Sequence, residues 1–304
     1  MFFDRLKNMK ISEILKNKKV TLSFEIFPPK KQEAFESVKQ TALTLSALKP
    51  DFISITYGAG GSTQSNTSDL AKTVQDSGTV SLAHLTCVRS SKESLLQTIQ
   101  LLKQKKIENV LALRGDLPKD AFEGENLFPS GFFHASDLTE LLKEHDFCVG
   151  GACYPEGHPE SANRDADIEN LKHKVESGVD FLTTQMIFDN DMLYSFLYRL
   201  QSAGIHVPVI AGIMPVTSAS QVSRMVDLSN AYIPRKLLSF CDRFRHDNEA
   251  MKQAGIAYAT DQIIDLISNG VRGIHIYTMN KPEIAEAIVK NIDSIIKAVN
   301  RTEN

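Results

Sequence analysis

What most restricts the fold of this chain is one pattern repeated eight times: a short apolar run that stops at glycine, proline or a polar residue and gives way to helical periodicity. The runs occupy residues 20–27, 52–56, 80–85, 110–113, 148–153, 181–185, 207–213 and 273–277. Short, nearly continuous apolar runs suit strands covered on both faces. Helical patterns lie between them at 11–17, 33–48 and 68–76, and then in a segment opened by Ser91 whose Leu95, Ile99 and Leu102 share one face. Further helices are expected with Ser136 as N-cap, from near Asp165, several times over 218–270, and over 283–299. Pro234 suits the start of one of these and Gly270 the end of another. Alternating strands and helices with no Gly/Ser linker predict an α/β chain folded as a single (β/α)8 TIM barrel, one domain over 1–304 with a short N-terminal helix. A doubly wound open sheet is the alternative. Its phosphate signature is missing: Gly58-Ala59-Gly60-Gly61 falls short of G-x-G-x-x-G because Thr63 takes the last position, and no Walker A sequence occurs.

The chemistry of the pattern lies where the runs stop. At or near their C-terminal ends stand Glu25, Thr56, His84, Arg114 with Asp116, Tyr154, Gln185 and Tyr277. In a barrel these ends meet at one mouth, where such folds carry their active sites. Each residue also has a plain structural reading, since strand ends are polar in any case and a solitary His84 can be a satisfied core histidine. The run 110–113 surfaces abruptly into Arg114-Gly115-Asp116. There Gly115 allows the backbone to approach a ligand, and Pro118 forbids the strand to continue. Glu25 lies within its run beside Phe24, Ile26 and Phe27. A carboxyl in a partly apolar site favours its protonated form, which can act as an acid near neutrality. A salt bridge to Arg114 across the mouth is the alternative role for Glu25. The connection 118–133 has a length usually associated with function.

A net charge of -3 and a pI near 6.3 argue against nucleic acid or a membrane surface as partner. The four cysteines, Cys87, Cys148, Cys153 and Cys241, contain no C-x-x-C pair, so buried free thiols are expected rather than disulfides or a metal site. The first residues meet charge at once and lack a signal-peptide apolar core, and no run approaches the roughly 20 apolar residues needed to span a bilayer. A cytoplasmic protein is expected.

Several motifs carry a resemblance together: Phe24-Glu25-Ile26-Phe27-Pro28-Pro29, Ile55-Thr56-Tyr57-Gly58-Ala59-Gly60-Gly61-Ser62, Ala83-His84-Leu85-Thr86-Cys87, Leu113-Arg114-Gly115-Asp116 and Tyr154-Pro155-Glu156-Gly157-His158-Pro159. In this order, and continued through residues 167–174, Thr184-Gln185, Gly212-Ile213-Met214-Pro215-Val216 and Tyr277-Thr278, the chain resembles methylenetetrahydrofolate reductases of the bacterial, catalytic-barrel-only type. The resemblance implies an FAD-containing barrel that uses NADH or NADPH to reduce 5,10-methylenetetrahydrofolate to 5-methyltetrahydrofolate, ping-pong through the flavin, feeding methionine synthesis. By the same resemblance Glu25 is the general acid that opens the five-membered ring of the folate to an iminium. Asp116, between flavin and folate, stabilises that cation and binds the pterin.

Cofactor contacts implied by the resemblance are Thr56, Tyr57, Ala59, His84, Arg114, Gly115, Asp116, Ala135, Tyr154, His158, Ser161, Asp167, Asn170, His173 and Lys174. Lys174 suits a phosphate oxygen and Asp167 a hydroxyl. Substrate positions are Asp116, Gln185, Gln221, Tyr277 and Lys281. Lys281 stands where some relatives have arginine, and Met225, where an aromatic often stacks on ligand, reads locally as helix core. A homo-oligomer is expected. Other classes stay open on the residues alone: a flavin-free pterin methyltransferase, or a folate- or flavin-binding protein without turnover. A Schiff-base lyase fits less well, because no strand ends in a lysine.

Overall fold

The computed structural model describes residues 9–29, 31–57, 63–117, 121–122, 124–222, 225 and 231–301. Eight parallel strands close into a barrel in which each pairs with the next and the last pairs with the first. They are β1 Thr21–Ile26, β2 Phe52–Ile55, β3 Val80–Thr86, β4 Asn109–Leu113, β5 Cys148–Cys153, β6 Phe181–Thr184, β7 Val209–Ile213 and β8 Gly273–Tyr277. Helices among the described residues include α1 Ile11–Asn17, α2 Phe35–Ala47, α3 Thr63–Asp76, α4 Lys92–Gln104, α5 Ala135–Glu144, α6 Arg164–Glu176, α7 Asn190–Ser202, α8 Arg235–Arg243, α9 Asn248–Ser268 and α10 Pro282–Asn300. The (β/α)8 barrel expected from the repeated pattern is therefore the fold. Most differences are at element edges: Pro208, which has no N–H to give, precedes β7 instead of joining it, and α3 begins at Thr63 rather than Ser68. The expected cap Ser136 lies inside the first turn of α5, and Asp137 accepts from the Phe133 and His134 amides at 2.8 and 2.9 Å instead.

Successive strand residues point to opposite faces, and the two faces have different partners. Phe24, Ile26, Ile53, Ile55, Leu85 and Val110 point outward and bury against Leu45, Leu70, Val74, Ile99 and Leu142 of the helices. Inward, Phe52, Val80, Leu82, Leu111, Cys148, Phe181 and Ile210 form a second apolar cluster with Ile11, Ile14 and Leu15 of α1. Helix α1 thus closes the lumen at the N-terminal ends of the strands. It is held there by the Asn109 side chain, which accepts from the Ile11 amide at 2.7 Å and donates to the Met9 carbonyl at 3.2 Å. Arg272 adds a bond to the Leu15 carbonyl at 2.7 Å. With one end filled by side chains, a ligand can enter the lumen only from the other. All four cysteines are buried and free.

Candidate active site at the C-terminal mouth

A cavity of about 510 Å³ opens at the C-terminal ends of the strands. Glu25, Thr56, Tyr57, His84, Arg114, Gly115, Asp116, Tyr154, His158, Gln185 and Tyr277 all line it. The strand ends singled out in the sequence are therefore gathered at one place. Alternation explains Glu25: Thr21 and Ser23 precede it on the inward face of β1, while Phe24 and Ile26 face the helices and do not surround the carboxyl. Its neighbours are two imidazoles, with His84 Nε2 at 3.7 Å and His275 Nε2 at 3.9 Å from Oε2. The possible bridge from Glu25 to Arg114 does not form. Arg114 instead makes a forked pair with Glu160 at 2.6 and 2.8 Å.

Burial pushes His84 down to about 4, against the opposing pull of Glu25, so its ring is neutral near pH 7. Its Nε2 is buried without a hydrogen-bond partner, as is Thr183 Oγ1 on the opposite wall of the cavity. Buried polar atoms left single in this way mark a place where a ligand completes the bonding. Tyr277 donates its hydroxyl proton to the Thr184 carbonyl at 2.7 Å, and burial holds it far above the usual phenol range. The ring fits because β7 carries Gly212, where a Cβ would lie 2.7 Å from Tyr277 Cε2. Gly115 has φ +90°, and a Cβ there would meet Val88 Cγ1 at 2.5 Å, so the turn between Arg114 and the exposed Asp116 requires glycine.

A second cavity, about 390 Å³, adjoins the first and shares Arg114, Tyr154 and His158 with it. It extends toward α5 and α6 and is lined by Ala135, Ser161, Asp167, Asn170, His173 and Lys174. Asn163 caps α6 by accepting from the Asp165 and Ala166 amides, which starts the helix where Asp167, Asn170 and Lys174 can reach the cavity. Within it, Ser161 donates to Asp167 at 2.9 Å, and Lys174 donates to the Ala152 carbonyl at 2.8 Å. Burial lowers Lys174 and His158 and pushes the Tyr154 phenol up to about 12. Tyr154 and His158 pack edge to face at 4.7 Å. His173, also in the lining, is 73% exposed and lies 3.6 Å from Glu176, at the cavity's rim.

Three candidate residues are not placed in either cavity. Gln221 turns its Oε1 to the Thr217 and Ser218 amides at 2.8 and 2.9 Å, and Lys281 is exposed at the start of α10. Ala59 lies outside the described residues. Met225 is buried in a cluster with Phe188, Met214 and Val216, as its local pattern suggested. Conversely, Ser54, Thr183 and His275 line the mouth, and His134, Ser136 and Glu160 line the lateral cavity, although none was expected there. The three mouth residues were within reach, since His275 and Tyr277 share a strand face by the period of two, as do Ser54 and Thr56, and Thr183 and Gln185. Among the described residues no group of His, Cys, Asp or Glu is arranged to hold a metal ion, and no helix is long and apolar enough to cross a membrane.

The sequence profile of the methylenetetrahydrofolate reductase family matches residues 10–293. The 5,10-methylenetetrahydrofolate reductase of Pectobacterium carotovorum subsp. carotovorum is 35% identical over 272 residues, which cover 89% of each chain. That of Escherichia coli K12 is 36% identical over 271 residues, or 88% of this chain and 89% of the other. Among solved structures, an uncharacterized protein from Clostridium thermocellum that binds two copies of 5-methyl-5,6,7,8-tetrahydrofolic acid superposes with a TM-score of 0.65. It covers 95% of this chain and 100% of its own, and at 15% identity it attests the barrel alone. On the strength of the profile and the two bacterial enzymes, the chain belongs to the methylenetetrahydrofolate reductase family.

Proposed function

We propose that this oxidoreductase reduces 5,10-methylenetetrahydrofolate to 5-methyltetrahydrofolate in the cytoplasm, with FAD as bound cofactor and NADH or NADPH as donor, and so supplies methyl groups for methionine synthesis. The observation that carries this reading is that Glu25 and Asp116 line one mouth, which runs on into a lateral cavity holding Asp167 and Lys174. A long cofactor with a ring system at one end and a charged, hydroxyl-rich remainder suits two joined cavities of this kind. His84 Nε2 and Thr183 Oγ1 would gain partners from the polar edges of ligands in the mouth. The turn at Gly115, packed against Val88 and Thr86, brings the backbone into the lining of the mouth, and Lys174 with Arg114 offers cations for a diphosphate.

When bound, the flavin would take a hydride from the nicotinamide and later pass one to the folate. In the reading supported here, the chain's own residues prepare the folate. Glu25 gives its proton to a nitrogen of the five-membered ring, the carbon–nitrogen bond breaks toward that nitrogen, and an iminium carbon is left to receive hydride. Asp116 lies on the exposed side of the same cavity, where its carboxylate would oppose the cationic charge and hold the pterin. Gln185 and Tyr277 would bound the face on which nicotinamide and folate take turns. Gln221 and Lys281 belong to this reading only if they turn inward on binding. A single barrel would carry every step. Self-association is part of the same reading, with exposed Tyr232 and Leu238 as apolar surface that sedimentation can test.

The test is direct. Purified protein should be yellow and release FAD on denaturation. Under anaerobic conditions NADH or NADPH should bleach it, and methylenetetrahydrofolate should restore the colour. A protein that takes up no flavin on reconstitution, or whose bleached form the folate does not reoxidise, would refute the proposal.

A further inference from the structure

We propose that His275 is a positioning residue for proton delivery: its Nε2 accepts a hydrogen bond from the Glu25 carboxyl and so keeps Glu25 in its donating form. This rests on the reading of Glu25 as the acid. His275 is 2% exposed and lines the floor of the mouth, one inward step below Tyr277 on β8. Its Nδ1 lies 2.7 Å from Ser23 Oγ, and the same hydroxyl lies 3.1 Å from the Ile274 carbonyl. A carbonyl oxygen has no proton to give, so the single hydroxyl proton of Ser23 goes to it. Both contacts are hydrogen bonds together only if Nδ1 carries the imidazole proton and donates to Ser23. That leaves a lone pair on Nε2.

With the proton on Nδ1, Ser54 Oγ donates to Nε2 in a long hydrogen bond of 3.3 Å, and Glu25 Oε2 stands 3.9 Å away. Phe52 stacks on the ring with centroids 6.0 Å apart, and Tyr277 packs against it edge-on at 5.2 Å, so the imidazole has little room to turn. The proposed bond forms when the carboxyl turns toward Nε2 and takes the place of the Ser54 hydroxyl, at a normal O–H···N distance of about 2.7 Å. Two other titratable groups face the pair. Tyr277 spends its proton on the Thr184 carbonyl, whereas neutral His84, its Nε2 unpartnered and 3.7 Å from the same carboxyl oxygen, is a second acceptor from which the His275 variants tell the proposed one apart. Bonding to the neutral form of an acid opposes its ionisation. In the step itself the Glu25 O–H bond breaks, an N–H bond forms on the folate, and no electrons leave the chain. His275 then accepts no proton in exchange, and Glu25 is recharged from solvent through the open mouth.

The test compares two replacements in the flavin-loaded protein. His275→Asn keeps a donor for Ser23 and places nothing at Nε2, whereas His275→Gln can return an amide oxygen to that place. In single-turnover measurements His275→Asn should cut the ratio of folate reduction to flavin reduction by nicotinamide about tenfold at neutral pH. It should also move the alkaline limb of folate reduction about one unit lower. His275→Gln should recover most of both. An independent readout is imidazole ¹⁵N NMR of the unsubstituted protein, which should show His275 with a protonated Nδ1 and a bare Nε2, an arrangement lost in Ser23→Ala. The inference is overturned by the opposite tautomer, or by an unmoved pH limb in His275→Asn; if neither His275 variant folds, the NMR result decides alone. Glu25→Gln separates the two ideas: folate reduction that survives it refutes the reading of Glu25 itself, whereas its loss alongside an unmoved His275→Asn limb refutes only the part given to His275.

Discussion

The two ends of the barrel lumen are built from the same strands and do opposite things. Near α1 the inward positions are Phe52, Val80, Leu82, Leu111, Phe181 and Ile210, and the polar groups beside them, Thr21, Ser23 and Asn109, are hydrogen-bonded within the protein. Two residues further along the same inward faces stand Ser54 after Phe52, His84 after Leu82 and Thr183 after Phe181. One inward step is about 6.6 Å of strand, so the change from filling the barrel to lining a reactive cavity happens within a single layer. The lower layer stabilises by excluding water. The upper layer keeps polar atoms unsatisfied at a cost in stability, which makes sense only if a ligand completes them.

The sharpest way to break this comparison is to change one group in each layer and measure both properties. Glu25→Gln preserves shape and removes the proton. It should lower folate reduction by a factor of about 10² to 10⁴, with bleaching by nicotinamide retained and the urea midpoint nearly unmoved. Phe181→Ala in the lower layer should do the reverse. Phe181 is fully buried against Phe52 and the open face of Gly150, and truncation of such a ring costs about 3 to 5 kcal/mol. Equilibrium unfolding should show that loss, while the protein that remains folded turns over normally. A large activity defect in Phe181→Ala at a temperature where it is folded would dissolve the distinction between the layers.

How much of this was legible depends on the direction a residue faces. The barrel was readable because each buried strand is a continuous apolar run, and the mouth was readable because runs end in the polar residues that face it. The surroundings of Glu25 were not read correctly from its chain neighbours: Phe24 and Ile26 belong to the helix side of β1, and the groups that meet the carboxyl come from β3 and β8. Glu160 was invisible for a related reason, since its partner Arg114 lies 46 residues away and no local pattern joins them. Gln221 and Lys281 show the limit of motif matching, which fixes a position on the chain but not the direction of a long side chain.

His84 links the two layers through pH. Its folded value, about 4, lies below the ordinary imidazole value of 6.5 because burial penalises the charged ring. The unfolded chain therefore takes up the proton first. The contribution to stability is complete above about 6.5 and is lost progressively as pH falls to about 4, to an extent of about 3 kcal/mol. Denaturant unfolding at pH 7.5 and pH 4.5 should show this loss in the unsubstituted protein and a smaller one in His84→Gln; equal losses would mean that the ring is hydrated. Gly115→Ala comes next in size. A positive φ together with a Cβ 2.5 Å from Val88 should cost about 1 to 3 kcal/mol and should weaken flavin retention as well, because the turn carries Arg114 and Asp116 toward the cavity.

The smallest effect is expected at Glu160. Arg114 holds its carboxyl below the usual range through the forked hydrogen bond, so any contribution is present above the unfolded value and fades as pH falls through the folded one. The Glu160 side chain is 53% exposed, however, and water screens the pair. Glu160→Gln should therefore change stability by less than about 1 kcal/mol, and less still in high salt. Its interest lies elsewhere, because Arg114 lines both cavities and Glu160 neutralises it in the absence of ligand. Removing that carboxylate should leave the guanidinium free for an anionic cofactor and tighten flavin retention while hardly moving the unfolding midpoint. A fall in flavin retention instead would mean that Glu160 serves to aim Arg114 rather than to compete for it.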